Sequence, residues 1–189
     1  MERSIFLDLL SSLQLLLVGY IPAAVVGIVI GYLIGVNRFV YQICKWILQV
    51  PNTIVPIAFL PVALILFKEA EAAAIVIVFL SAIWPIIINT ATGTRYGRKQ
   101  GNNIRVVINH IFKGLRFAVW VAWFCAIAIE MLTLNRGLGF VIWNASKESK
   151  FNYIIEGIIC IGTMGFLLDQ LLDLTGNILA GLVSEGKKS

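Results

Sequence analysis

Residues 9–37 contain no Asp, Glu, Lys or Arg, and neither do residues 46–67 or 72–94. A hydrocarbon core of about 30 Å takes roughly 20 apolar residues per spanning helix, so each run is long enough to cross a bilayer. Residues 117–135 make a fourth such stretch interrupted only by Glu130, and residues 157–183 a fifth that carries Asp169 and Asp173. The chain is 59% hydrophobic and only 13% charged, with a mean hydropathy of +0.91, which excludes an ordinary soluble domain. The expected fold is all-α and integral to the membrane: five transmembrane helices at about 11–36, 45–67, 72–93, 115–134 and 153–182. They form a single transmembrane domain over 1–189, with a cytoplasmic loop at 94–114 and a partly inserted outer segment at 135–151.

Charge predicts the orientation. Five spans place the termini on opposite sides. One side then collects Arg38, Lys45, the six basic residues of the stretch 89–116, and Lys187 and Lys188, which makes ten. The other collects Arg3, Lys68, Arg136, Lys147 and Lys150. Lys and Arg in short loops mark the cytoplasmic face, so the N-terminus is expected outside and the C-terminus inside. The net charge of +5 is accounted for by a basic face against anionic headgroups and calls for no nucleic acid. The start, "MERSIFLDLL", has one basic residue before Asp8 and no small-residue cleavage site, and reads as a retained helix.

Several residues break the apolar pattern. Gly27, Gly31 and Gly35 form a four-residue ladder that suits close helix packing, within the chain or against another subunit. Pro51, Pro56 and Pro61 recur at five-residue intervals in the second span, where each removes a backbone donor. Kinked or broken helices of this kind can line a pathway, and Trp84 and Asn89 of the third span are candidates for the same path. Glu130 is expected to tie the fourth helix to the turn "NRGLGF" at the outer side, a role favoured over substrate contact. Asp169 and Asp173, one turn apart, are expected to be charge partners of nearby Arg or Lys.

Catalysis finds no foothold. The chain has one histidine, no GxSxG, no Walker lysine and no HExxH, so no enzyme activity is expected. Cys44, Cys125 and Cys160 are isolated in apolar surroundings, so no metal site, disulfide or cofactor is expected.

From about Gly19 to Leu182 the order and spacing of "VPNTIVPIAFLPVALILF", "IWPIIINTATGTR", "GLRFAVWVAWFCAIAIEML", "RGLGFVIWNA" and "IIEGIICIGTMGFLLDQLLDLT" resemble a known family. It is the permease subunit of binding-protein-dependent ABC importers, in the nitrate, bicarbonate, sulfonate and taurine branch. The resemblance implies a five-helix core that dimerises or pairs with a similar permease. It implies a substrate path at the subunit interface, ATPase subunits below and an external substrate-binding protein facing the segment 135–150. It also implies an ATPase-coupling loop before the fourth helix, with a Glu-Ala-Ala pattern, a following glycine and a later proline. Here that place is taken by Gly101, Asn102, Asn103, Ile104, Arg105 and Val106; the glycine and proline are missing and the segment is shortened. Two functions remain open: a permease for a small anion driven by ATPases, or a permease-derived accessory subunit of a larger membrane complex. The expected membrane is a bacterial plasma membrane by default, with a thylakoid or organelle membrane as the alternative.

Overall fold

Long uninterrupted apolar runs leave a chain in a bilayer one economical way to satisfy its backbone, which is the helix. The computed structural model describes residues 5–44, 55–101 and 103–185, and its regular elements there are helices. They include α1 (Ile5–Val36), α2 (Leu60–Phe67, entered through a 3-10 turn at Pro56–Phe59), α3 (Ala70–Lys99), α4 (Ile104–Leu132), α5 (Leu138–Lys147) and α6 (Phe151–Glu185), and residues 38–44 are helical as well. Four of them, α1, α3, α4 and α6, are long and apolar enough to span a bilayer.

The expected second span is only partly within the described residues, because residues 45–54, and with them Pro51, lie outside. Its described part is the apolar turn and helix from Pro56 to Phe67, shorter than a crossing. Pro56 opens the 3-10 turn, and a proline also stands in the first turn of α2, Pro61. First-turn positions have no intrahelical partner for the missing N–H, so these prolines start helices instead of kinking one. Lys68, at φ +57, closes α2 and turns the chain into α3.

The charged stretch expected as a loop at 94–114 is mostly helix. With no proline after Pro85, nothing stops α3 before Lys99, and α4 begins at Ile104. The connection is the short turn between them, where Gly101 takes a left-handed φ of +69. Close approach then holds the hairpin together: a Cβ on Gly93 would collide with His110, and one on Gly97 with Val107 and the Asn103 carbonyl.

The core runs along α1, α3 and α4, where Leu16, Ile77, Ile86 and Ile129 are fully buried among alanines. The glycine ladder of α1 faces α3 within the same chain. A Cβ on Gly31 would stand 2.7 Å from the Ile87 carbonyl, and one on Gly27 2.9 Å from the Ile86 side chain. Between helices surrounded by lipid such flat faces permit van der Waals contact that bulkier residues would prevent. By contrast α6 is peripheral. It meets α4 through Trp123, Gly165 and Gly176 and meets α5 through Gly157 and Ile142, while Ile158, Phe166, Leu171 and Leu182 stay exposed.

Candidate functional site

Among the described residues, three polar assemblies stand out in the apolar bundle. The first is at the end that carries the start of α1. Glu130, 1% exposed on the last turn of α4, accepts hydrogen bonds from the Ser12 hydroxyl and the Gly139 amide, both at 2.9 Å. The Leu138 amide donates to the Ser12 oxygen at 2.9 Å and the Gly137 amide to Asp8 Oδ1 at 3.2 Å. The first amides of α5, which have no intrahelical acceptors, are therefore capped by side chains from α1 and α4. Gly137 adopts φ +96, and a Cβ there would run into the Glu130 carboxyl group. Only glycine admits the carboxylate so close to the backbone. Beside this knot Arg136 pairs with Glu71 at the start of α3. Lys147 and Lys150 lie over the rings of Trp143 and Tyr153, and Lys150 also holds the Glu148 carboxyl below its ordinary range.

Sequence reasoning missed Asp8 and Ser12. Asp8 marked the edge of a charge-free run, yet it is 2% exposed and Ser12 fully buried. An acid and a serine at i and i+4 ahead of an apolar run were the available signal.

The second assembly is the hairpin end. Gly101 makes the turn, and Asn102 is outside the described residues. The Asn103 amide donates to the Gly97 carbonyl at 2.9 Å, and Ile104, Arg105 and Val106 form the first turn of α4. Arg98 reaches back to donate to the Val36 carbonyl at 2.6 Å, capping the end of α1. Lys99, Arg105 and Lys113 are exposed.

The third assembly joins α4 to α6. Arg116 forms a bidentate pair with Asp169, at 2.7 and 2.6 Å, and also pairs with Asp173. One guanidinium thus bridges two carboxylates one turn apart, which suits its planar fork. The pair lies between two clefts along the same helices. One, of about 330 Å³, is lined by Asn109, His110, Lys113 and Asn177; the other, of about 540 Å³, by Trp120, Trp123, Phe124, Gly162 and Phe166. Trp123 donates across the seam to the Ile161 carbonyl at 3.2 Å.

The candidate pathway residues are dispersed. Pro56 and Pro61 open the short helical segment, and Trp84 is half-buried on α3. Asn89 donates to the Pro85 carbonyl at 2.8 Å and lies against Gly114 of α4.

Four helices of spanning length among the described residues and an apolar outer surface define an integral membrane protein of the helical-bundle class. No family model matches the chain. It is 36% identical to the nitrate import permease protein NrtB of Leptolyngbya laminosa, over 99% of this chain and 72% of that protein. It is 33% identical to the bicarbonate transport system permease protein CmpB of Synechococcus elongatus, over 91% of this chain and 68% of the relative. The taurine transport system permease protein TauC of Escherichia coli is 25% identical over 89% of this chain and 68% of its own length. The chain belongs to the permease family of ABC importers, in the branch that contains these proteins. Its match to the Leptolyngbya permease extends over 204 residues although the chain has 189, so at least 15 residues of the relative have no counterpart here.

Proposed function

We propose that this protein is a transmembrane permease subunit for uptake of a small anion of the nitrate, bicarbonate or sulfonate type, driven by partner ATPases. The carrying observation is similarity to nitrate and bicarbonate permeases over 90–99% of the chain. In this reading the protein forms one transmembrane domain, the segment 45–67 supplies a fifth span, the N-terminus is outside and the C-terminus cytoplasmic. The positive charge of Arg98, Lys99 and Arg105 at the hairpin supports that orientation.

The hairpin tip, Gly101 to Val106, is then the docking surface for an ATPase, and two permease chains pair around a path to which Pro51, Pro56, Pro61, Trp84 and Asn89 contribute. The knot around Glu130 fixes α5 at the outer face, where a substrate-binding protein would deliver its anion. A four-residue turn offers an ATPase the ends of α3 and α4 in place of a separate docking helix, so coupling in this chain works through the rigid hairpin.

The test is purification from native membranes with identification of partners, followed by ATP hydrolysis in liposomes with and without nitrate, bicarbonate or a sulfonate. Co-purification with an ATPase and anion-stimulated hydrolysis are expected. Recovery as a single copy inside an unrelated assembly, with no ATPase, would overturn the proposal in favour of a permease-derived accessory subunit.

A further inference from the structure

The seam between α4 and α6 carries two clefts that open on one continuous face. On α4 that face is Arg105, Asn109, Lys113, Arg116, Trp120 and Phe124, spaced by three or four residues as a single helical stripe requires. On α6 it is Asn177, Asp173, Asp169, Phe166 and Gly162, spaced in the same way in the opposite direction. The polar cleft and the aromatic cleft therefore lie end to end, with the Arg116 pair between them.

Their chemistries differ in a matched way. In the polar cleft Arg116 is already engaged by two carboxylates. Lys113 is exposed and, among the described residues, no ion pair occupies it or Arg105. Asn109 and Asn177 add amide groups, and Asn177 donates to Asp173 at 3.1 Å. In the aromatic cleft Trp120 and Phe124 are well exposed, and a Cβ on Gly162 would meet nothing within 4 Å, so the groove is open where α6 passes it. Its volume of about 540 Å³ falls within the roughly 300–1,000 Å³ typical of ligand pockets.

The dimensions select the occupant. From Lys113 to Phe124 is eleven residues, about 16 Å at 1.5 Å per residue. One leaflet of a hydrocarbon core about 30 Å thick is about 15 Å. Lys113 and the aromatic groove that follows it along α4 thus fall within one leaflet, an arrangement complementary to a phosphate bearing an acyl chain.

We propose that the α4–α6 seam is a binding site for one anionic phospholipid, its phosphate at Lys113 with Asn109 and Asn177 beside it and one acyl chain along Trp120, Phe124 and Gly162. The lipid covers the part of α6 that the bundle leaves bare and holds it against α4 on both sides of the Arg116 pair. This requires the chain to be in a bilayer and is independent of transport.

The test is native mass spectrometry of the full chain in detergent, with added phosphatidylglycerol, phosphatidylcholine or inorganic phosphate. Phosphatidylglycerol is expected to be retained in preference to phosphatidylcholine. Lys113→Ala should reduce that preference by about fivefold, the effect of one interfacial cation. Gly162→Phe should reduce retention of both lipids by filling the groove, while Lys99→Ala, on the hairpin away from the seam, should change nothing. Equal retention of the two lipids, or a preference indifferent to Lys113, would overturn the proposal. So would displacement of the lipid by inorganic phosphate with no effect of Gly162→Phe, which would mark a plain anion site. Disulfide linkage of two copies through Gly162→Cys in native membranes would also overturn it, since the seam would then be a subunit interface.

Discussion

Removing the carboxylate of Glu130 should loosen one end of the bundle without touching its apolar packing. Glu130→Ala deletes the acceptor shared by the Ser12 hydroxyl and the Gly139 amide, each at 2.9 Å. Side-chain hydrogen bonds between membrane helices average about 0.6 kcal/mol and reach about 1.7, so two of them contribute about 1–3 kcal/mol. The Gly139 amide is left without its acceptor in a buried site, at a further cost of about 1–3 kcal/mol. Ser12 loses less, because it also reaches the Asp8 carbonyl at 3.2 Å. The expected total for Glu130→Ala is about 2–5 kcal/mol by the same reckoning. Glu130→Gln keeps an acceptor oxygen and nearly the same shape, and should cost less than about 1.5 kcal/mol. Reversible unfolding in mixed micelles gives both values, and amide exchange at 137–139 locates the change. Equal losses for Ala and Gln, or no change in exchange at the start of α5, would refute the capping argument. A cycle with Ser12→Ala should also show non-additivity, because the two side chains share one bond.

The α1 ladder offers a contrast in sterics. Gly31→Leu should prevent recovery of a folded chain, since even its Cβ would press on the Ile87 carbonyl; Gly162→Ala, with open space around it, should leave thermal stability unchanged within about 0.5 kcal/mol. Arg116→Ala strands Asp169 and Asp173 and should raise proteolysis and amide exchange in the second half of α6, whereas combining it with Asp169→Asn and Asp173→Asn should restore protection. At about 37% exposure of the paired side chains the ion pair itself should contribute no more than about 1 kcal/mol. For orientation, a cysteine replacing Lys99 should react with an impermeant maleimide only after the inner face is opened, and one replacing Lys147 should react in intact cells; the reverse labelling pattern would invert the proposed topology.

Membrane residence was legible in the residues themselves, since whether about twenty residues can cross is a local sum over their side chains. The spans α1, α3, α4 and α6 are each built around an apolar run read directly from the chain and extend beyond it, and the basic stretch 89–116 stood out in the same way. Helix ends were harder. The polar residues of 94–114 looked like a loop because polarity and looseness usually go together, but glycines at 93 and 97 let α4 pack on α3 and keep both helices going. Likewise Asp169 and Asp173 read as charge partners from their place near an interface with Arg and Lys available, and the fold supplied Arg116, 53 and 57 positions earlier, as the group that takes both.

The α1 side of the knot around Glu130 was only faintly marked in the sequence. Ser12 meets Glu130 across 118 positions and Asp8 meets Gly137 across 129. An acid at the edge of an apolar run has the same sequence signature whether it faces water or caps a buried helix. The difference lies in which backbone amides arrive beside it, and three-dimensional packing alone brings them there.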